Sequence, residues 1–210
     1  MSHIENQKRN HPKKGSQIAV EPIRDLKKIR TISNSLRGHE PAKIGLRNHL
    51  LFVLGINNGL RTGDLLRITV GQVRHLNAGE SISLVESKTG KKNVLAINKT
   101  VHAAMQAYLA IVDPEDSHYL FKSRKGENQP ISVHAVNNMI KDWCAAVGVK
   151  GNFGAHTLRK TWGYHQRITH GVAWELICKR FNHGSPAVTM RYLGIQDSEV
   201  IEILFDNEIG

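Results

Sequence analysis

The chain has 210 residues, 40% of them hydrophobic and 22% charged, which excludes a disordered or fibrous polymer and fits one folded domain burying about 70% of its unfolded surface. Two cysteines, Cys144 and Cys178, exclude a disulfide framework and fit a reducing, cytoplasmic compartment; no apolar run approaches the ~18 residues of a membrane span, and the opening MSHIENQKRNHPKKG lacks the apolar core of a secretory signal. Lys and Arg number 29 against 18 Asp and Glu, a net charge of +11, and a polyanionic partner, nucleic acid, is expected, with a solvated basic surface as the alternative.

In chain order, residues 1–20 are polar and basic (Lys8, Arg9, Lys13, Lys14) and predict a flexible arm, either a plain terminus or one that tracks DNA. Pro22 can open a helix whose apolar face is Ile23, Leu26, Ile29 and Leu36, ending at Gly38. Pro41 opens a second, through Leu46, Leu50, Val53 and Leu54, which stops in the turn-like Asn57-Asn58-Gly59. A short helix over 62–68 follows. Residues 81–86 (SISLVE) and 93–97 (NVLAI) predict two strands, joined as a hairpin by Ser87-Lys88-Thr89-Gly90-Lys91-Lys92. Helices are predicted over 100–112, stopped by Asp113-Pro114, and over 132–147, from a serine cap to Gly148. From His156 onward the pattern is mostly helical, broken near Gly171 and at 184–186. Leu193 to Gly210 holds five acids and no Lys or Arg, so residues 1–192 carry 29 basic side chains against 13 acidic ones. The fold class is therefore α+β, mainly α, with a small antiparallel sheet.

The chemistry-bearing residues are not those of a metal or nucleotide site. Twelve histidines occur without CxxC, HxxxH or HExxH spacing, and there is no GxxxxGK[ST], GxGxxG or GxSxG, so neither cofactor nor metal is expected. What stands out are groups that grip a phosphate. Arg61 follows a glycine turn at the mouth of a helix, with Asp64 three residues on. His156 and Arg159 share a helix face, preceded by Gly151 and Gly154, where helix amides favour an anion. His183 and Tyr192 close the series. Each alone has a plain reading as a surface cation, a solvated face or a core aromatic.

In combination they carry a resemblance. Gly59-Leu60-Arg61-Thr62-Gly63-Asp64-Leu65, Ser87-Lys88-Thr89-Gly90, His156-Thr157-Leu158-Arg159-Lys160-Thr161, and the run from Asn182-His183 to Tyr192 resemble, in chain order, the four boxes of the tyrosine recombinases, the phage integrase family. The resemblance implies that family's catalytic-domain fold over 21–195. It also implies site-specific recombination or integration of double-stranded DNA through a 3′-phosphotyrosine, without metal or ATP. By resemblance Tyr192 is the nucleophile, His156 the general base, Arg61, Arg159 and His183 the phosphate-binding groups, and Lys88 the acid for the leaving 5′-oxygen. Lys88 is expected on a flexible hairpin tip. Asp64 is expected either to orient Arg61 or to cap its helix. Lys91, Lys92 and Lys160 are expected to contact DNA. The family's last box has Gly where this chain has Asn182, which alters a tight approach before the histidine. The family's separate N-terminal DNA-binding domain has no counterpart here. The chain therefore resembles a stand-alone catalytic domain of the size of fimbrial-switch invertases, or a fragment of a longer enzyme. Residues 196–210, with Val200, Ile201, Leu204 and Phe205 on one apolar face, are expected to form an acidic helix docking on the body or on a neighbouring subunit of a homotetramer on DNA. A topoisomerase and a catalytically silent DNA-binding module of the same fold are the competing readings.

Overall fold

The computed structural model of the chain describes residues 20–195 and Phe205; the predicted arm and nearly all of the acidic tail lie outside the described residues. The elements run α1 (Leu26–Arg37), α2 (Ala42–Asn58), α3 (Thr62–Leu65), α4 (Val70–Val73), β1 (Ser81–Val85), β2 (Lys92–Ala96), α5 (Lys99–Val112), α6 (Val133–Ala146), α7 (Thr157–Ile168), α8 (Trp174–Phe181) and α9 (Pro186–Leu193). No helix among the described residues is long and apolar enough to cross a membrane.

α2 is the axis of the fold. Its middle, Leu50-Leu51-Phe52-Val53-Leu54, is apolar on every side, so it must be covered all round, and α1, α5 and α7 cover it. Gly55 lets α7 approach, because a Cβ there would stand 2.6 Å from Leu158 Cδ1. β1 and β2 form the antiparallel hairpin, with Ser81 opposite Ala96 and Val85 opposite Lys92. The alternation of β2 is clean: Asn93 and Leu95 are buried while Lys92, Val94 and Ala96 face out.

The apolar interior is divided. One large cluster joins α1 to α6 with the hairpin and Leu158 of α7. A second is small: Ile177, Phe181 and Leu193, with Trp162, Val172, Trp174 and Tyr192 around them, holds α8 and α9 on the far side of α7. Full burial of a large apolar side chain contributes ~1.5–3 kcal/mol, so those three supply only about 5–9 kcal/mol before entropy is counted. The α8–α9 unit is thus the more weakly anchored part of the body.

One element boundary differs from expectation for a tertiary reason, and one element was not expected. α1 begins at Leu26, not at Pro22, because α7 captures the preceding backbone: Ile23 N–H donates to Thr161 Oγ1 (2.9 Å), and Ile23 O lies 2.9 Å from His165 Nε2. Asp25 then caps the helix through Lys27 and Lys28 N–H. α4, a single turn whose Gln72 Oε1 accepts from Thr69 N–H at 2.9 Å, is too short to leave a periodic signal.

Candidate active site

The candidate residues converge where the two apolar clusters meet. Arg61 caps the start of α3 with an extended backbone just past the left-handed Gly59, so the side chain leaves the end of α2 toward the hairpin. There its Nη1 lies 2.5 Å from Glu86 Oε2 in an ion pair between largely buried groups; the Nη1–H directions are not aligned with the oxygen, and Nη1 has no formed hydrogen bond. His156 is the N-terminal boundary residue of α7 and is exposed, whereas Arg159, one turn inward, is 2% exposed. Arg159 Nη1 donates to Gly59 O (2.7 Å) and Nη2 to Phe181 O (2.8 Å), with the Phe181 ring 4.3 Å beneath. The guanidinium therefore bolts the end of α2 to the end of α8.

His183 and Tyr192 come from the smaller cluster. Asn182 closes α8 with φ 54°, the left-handed region, and turns the chain so that His183 faces α9. His183 Nδ1 lies 3.0 Å from Thr189 Oγ1, one buried turn before Tyr192. The His183 and Tyr192 rings stand 5.1 Å apart, edge to face. Tyr192 Oη lies 3.4 Å from His156 Nδ1, a long contact of the kind found in sites without substrate.

The electrostatics follow from burial and from so many cations. Burial first, then the Arg159 and Arg61 charges, press His183 down to about 4, with Glu86 opposing. Although the residue is exposed at the mouth of α7, His156 is lowered first by desolvation of its ring against the site and then by Arg159, Lys160, Arg61 and Lys88, which brings the hairpin lysine into its field. Both rings are neutral at pH 7. Burial raises the Tyr192 phenol, while Arg159 and Arg61 pull the other way. Arg159 is lowered by burial to about 10 and stays a cation.

These features invite comparison with known proteins. The phage integrase family model matches residues 24–199. The probable integrase/recombinase YoeC of Bacillus subtilis (strain 168) is 35% identical over 180 residues, 85% of this chain and 91% of that protein. The chain belongs to the phage integrase family. Tyrosine recombinase XerA of Pyrococcus horikoshii is 26% identical over 90% of this chain and 67% of its own length. Among solved structures, a XerA recombinase superposes with a TM-score of 0.70 at 19% identity, over 95% of this chain and 67% of that one. XerH, a site-specific recombinase bound to its palindromic difH substrate, superposes with a TM-score of 0.71 at 17% identity, over 91% and 55%. As an integrase-family chain, this protein is a site-specific recombinase with the family's catalytic-domain fold.

Within the integrase frame, Arg61, His156, Arg159, His183 and Tyr192 lie together, and Lys88 is exposed on the hairpin beside them. Three expectations need correction. Asp64 does not hold Arg61: its Oδ1 accepts from Ser87 N–H (2.9 Å) and Ser87 Oγ (2.8 Å), and the carboxylate paired with Arg61 is Glu86. The hairpin tip is not free: Ser87 is tied to Asp64, and Thr89 Oγ1 to Glu86 Oε2 at 2.5 Å, one on each side of Lys88. Lys160, expected on a DNA-facing surface, is 6% exposed, its ammonium 4.8 Å from the centre of the Tyr192 ring; Lys91 and Lys92 are exposed. Sequence reasoning missed Glu86 and Arg180. Arg180 binds Asn58 O, Asn93 Oδ1 and Val94 O, joining α8 to the hairpin. The available signal for Glu86 was an acid two residues before the hairpin lysine, amid cations that need a buried counter-charge.

Proposed function

We propose that the chain breaks and rejoins double-stranded DNA through a 3′-phosphotyrosine on Tyr192. The observation that carries this reading is the Tyr192 hydroxyl lying against the His156 imidazole between Arg61, Arg159 and His183. A phenol of pKa ~10 is about 0.1% ionised at pH 7, and burial lowers that fraction further, so the attack needs a base. His156, neutral because its pKa is lowered, takes the phenolic proton on Nδ1 as Tyr192 Oη bonds to phosphorus. The P–O5′ bond breaks, Lys88 gives a proton to the departing 5′-oxygen, and a second strand's 5′-hydroxyl later reverses the step. Arg61 and Arg159 stabilise the charge on the non-bridging oxygens; a phosphate oxygen would satisfy the Arg61 Nη1–H groups that Glu86 leaves unaligned. Thr189 Oγ1 occupies His183 Nδ1 at 3.0 Å, so Nε2 is the ring nitrogen left to meet the phosphate.

Lys91 and Lys92, exposed beside the hairpin, contact the DNA backbone. The related XerH recombinase has been solved on its difH DNA before and after cleavage, which supports DNA as the substrate here. Assembly is a homotetramer on two duplexes, in the cytoplasm. Incubation with a nicked duplex that loses its 5′-terminal fragment on cleavage tests the reading. Wild type accumulates a covalent protein–DNA band, Tyr192→Phe gives none, and Arg159→Ala falls by about 10³-fold or more. Wild-type protein that binds duplex without ever trapping it would instead be a binding module.

A further inference from the structure

Glu86 has no part in the cleavage scheme, yet it is the most enclosed carboxylate beside the site, its side chain 1% exposed. Its main chain closes the hairpin turn: its N–H donates to Lys91 O (3.0 Å), and its carbonyl accepts from Gly90 N–H (2.9 Å). Its side chain faces four groups. Oε2 takes the Arg61 guanidinium at 2.5 Å and the Thr89 hydroxyl at 2.5 Å, Oε1 accepts from Asn93 Nδ2 at 2.8 Å, and the Asn182 amide also reaches the carboxylate. Burial pushes the carboxyl up, but the Thr89 hydroxyl, the paired Arg61 guanidinium and the Asn93 and Asn182 amides more than reverse this and hold it at about 2. It is therefore a permanent anion at working pH. The last of these donors exists because Asn stands at 182; a glycine there would have no side-chain amide to offer.

The neighbours of Glu86 give that anion a place in the reaction. Lys88 is bracketed by Ser87, held on Asp64, and Thr89, held on Glu86. A long exposed side chain with both flanking residues tethered sweeps a smaller volume than one on a free loop. We propose that Glu86 is a positioning residue whose buried carboxylate fixes the Arg61 guanidinium and, through Thr89, the root of Lys88, so that the phosphate-binding arginine and the leaving-group acid share one register before DNA arrives. This rests on the strand-cleavage reading for the roles of Arg61 and Lys88.

The test compares single-turnover cleavage of ordinary DNA with that of DNA carrying sulfur in place of the scissile 5′-bridging oxygen. A thiol, pKa ~8.5, departs as the thiolate and needs no acid, so sulfur cancels defects that act through Lys88 and leaves those that act through Arg61. Thr89→Val, at an exposed position, removes the tether to Glu86 and the long 3.4 Å bond that Thr89 Oγ1 accepts from Lys91 N–H, both within the hairpin. It should slow cleavage of ordinary DNA by about 10-fold and leave the sulfur substrate at the wild-type rate. Glu86→Gln keeps the size and most of the hydrogen bonding but not the charge. It should lose about 10²–10³-fold on ordinary DNA and about 10-fold on the sulfur substrate. Equal losses on both substrates for Thr89→Val, or wild-type rates for Glu86→Gln, would overturn the positioning role. A wild-type protein that traps neither substrate would instead fail at the cleavage reading and take this inference with it.

Discussion

His156 and Tyr192 show how a single pair of side chains sets the pH range of the reaction. Both are shifted by burial, in opposite senses: the imidazole is lowered, which keeps it a base, and the phenol is raised, which makes it depend on that base. Protonating His156 removes its lone pair, so cleavage should fall on acidification. Because its pKa is lowered, that limb should lie below the ~6.5 of an ordinary imidazole. A pH–rate profile of covalent-complex formation reads it directly, and His156→Gln should abolish the limb and cost about 10²–10⁴-fold in rate. A limb centred at or above the ordinary value would remove His156 from the role of base. The sequence pointed to these two residues only through the resemblance of its four boxes to the integrase family, and the fold brings their side chains within 3.4 Å. The partner of Arg61 was not legible there, because Glu86 lies 25 positions away and reaches it only through the hairpin.

At the scale of elements, the end of α2 has two demands that one residue type meets. Gly59 adopts φ 59°, and a Cβ there would stand 2.6 Å from the Trp162 ring, while its carbonyl receives Arg159 Nη1. Gly59→Ala should therefore cost about 2–4 kcal/mol, from the left-handed backbone and the displaced indole together, seen as a lower urea midpoint with unchanged slope. The turn at 57–59 was evident from Asn-Asn-Gly; the indole over it was not. Asn182 is the counterpart at the end of α8. Its φ of 54° is tolerated by Asn better than by most non-glycine residues, which explains how this chain departs from the family's Gly without losing the turn into His183. The helices of ordinary length were legible from apolar period and caps, as with Ser132 accepting from Ala135 N–H at the start of α6. α4 was not, and neither was the late start of α1.

Taken as a whole, the molecule keeps several histidines from protonating. His49, His156, His165 and His183 are all lowered, in each case with burial as the leading cause. The unfolded chain takes up their protons near pH 6.5 while the folded chain resists, so the unfolded state binds more protons in that window and stability rises with pH. The stability tied to His183 should be complete above about 6.5 and be lost as pH falls toward its folded value of about 4. Denaturant midpoints measured between pH 7 and 4 should fall accordingly, and a flat profile would mean that these rings are not held neutral. The α8–α9 unit, with its small apolar anchor and with His183 in its turn, should loosen first. By itself the sequence determined the longer helices, the hairpin, the excess of positive charge and the presence of side chains able to handle a phosphate, since each depends on local period, turn chemistry or residue type. Only the tertiary structure decided which carboxylate neutralises Arg61, that Lys160 lies beneath Tyr192 and that the hairpin is tethered on both sides of Lys88. Those are contacts between segments distant in the chain, selected by burial and charge balance in three dimensions, and no pattern along one strand of sequence encodes them.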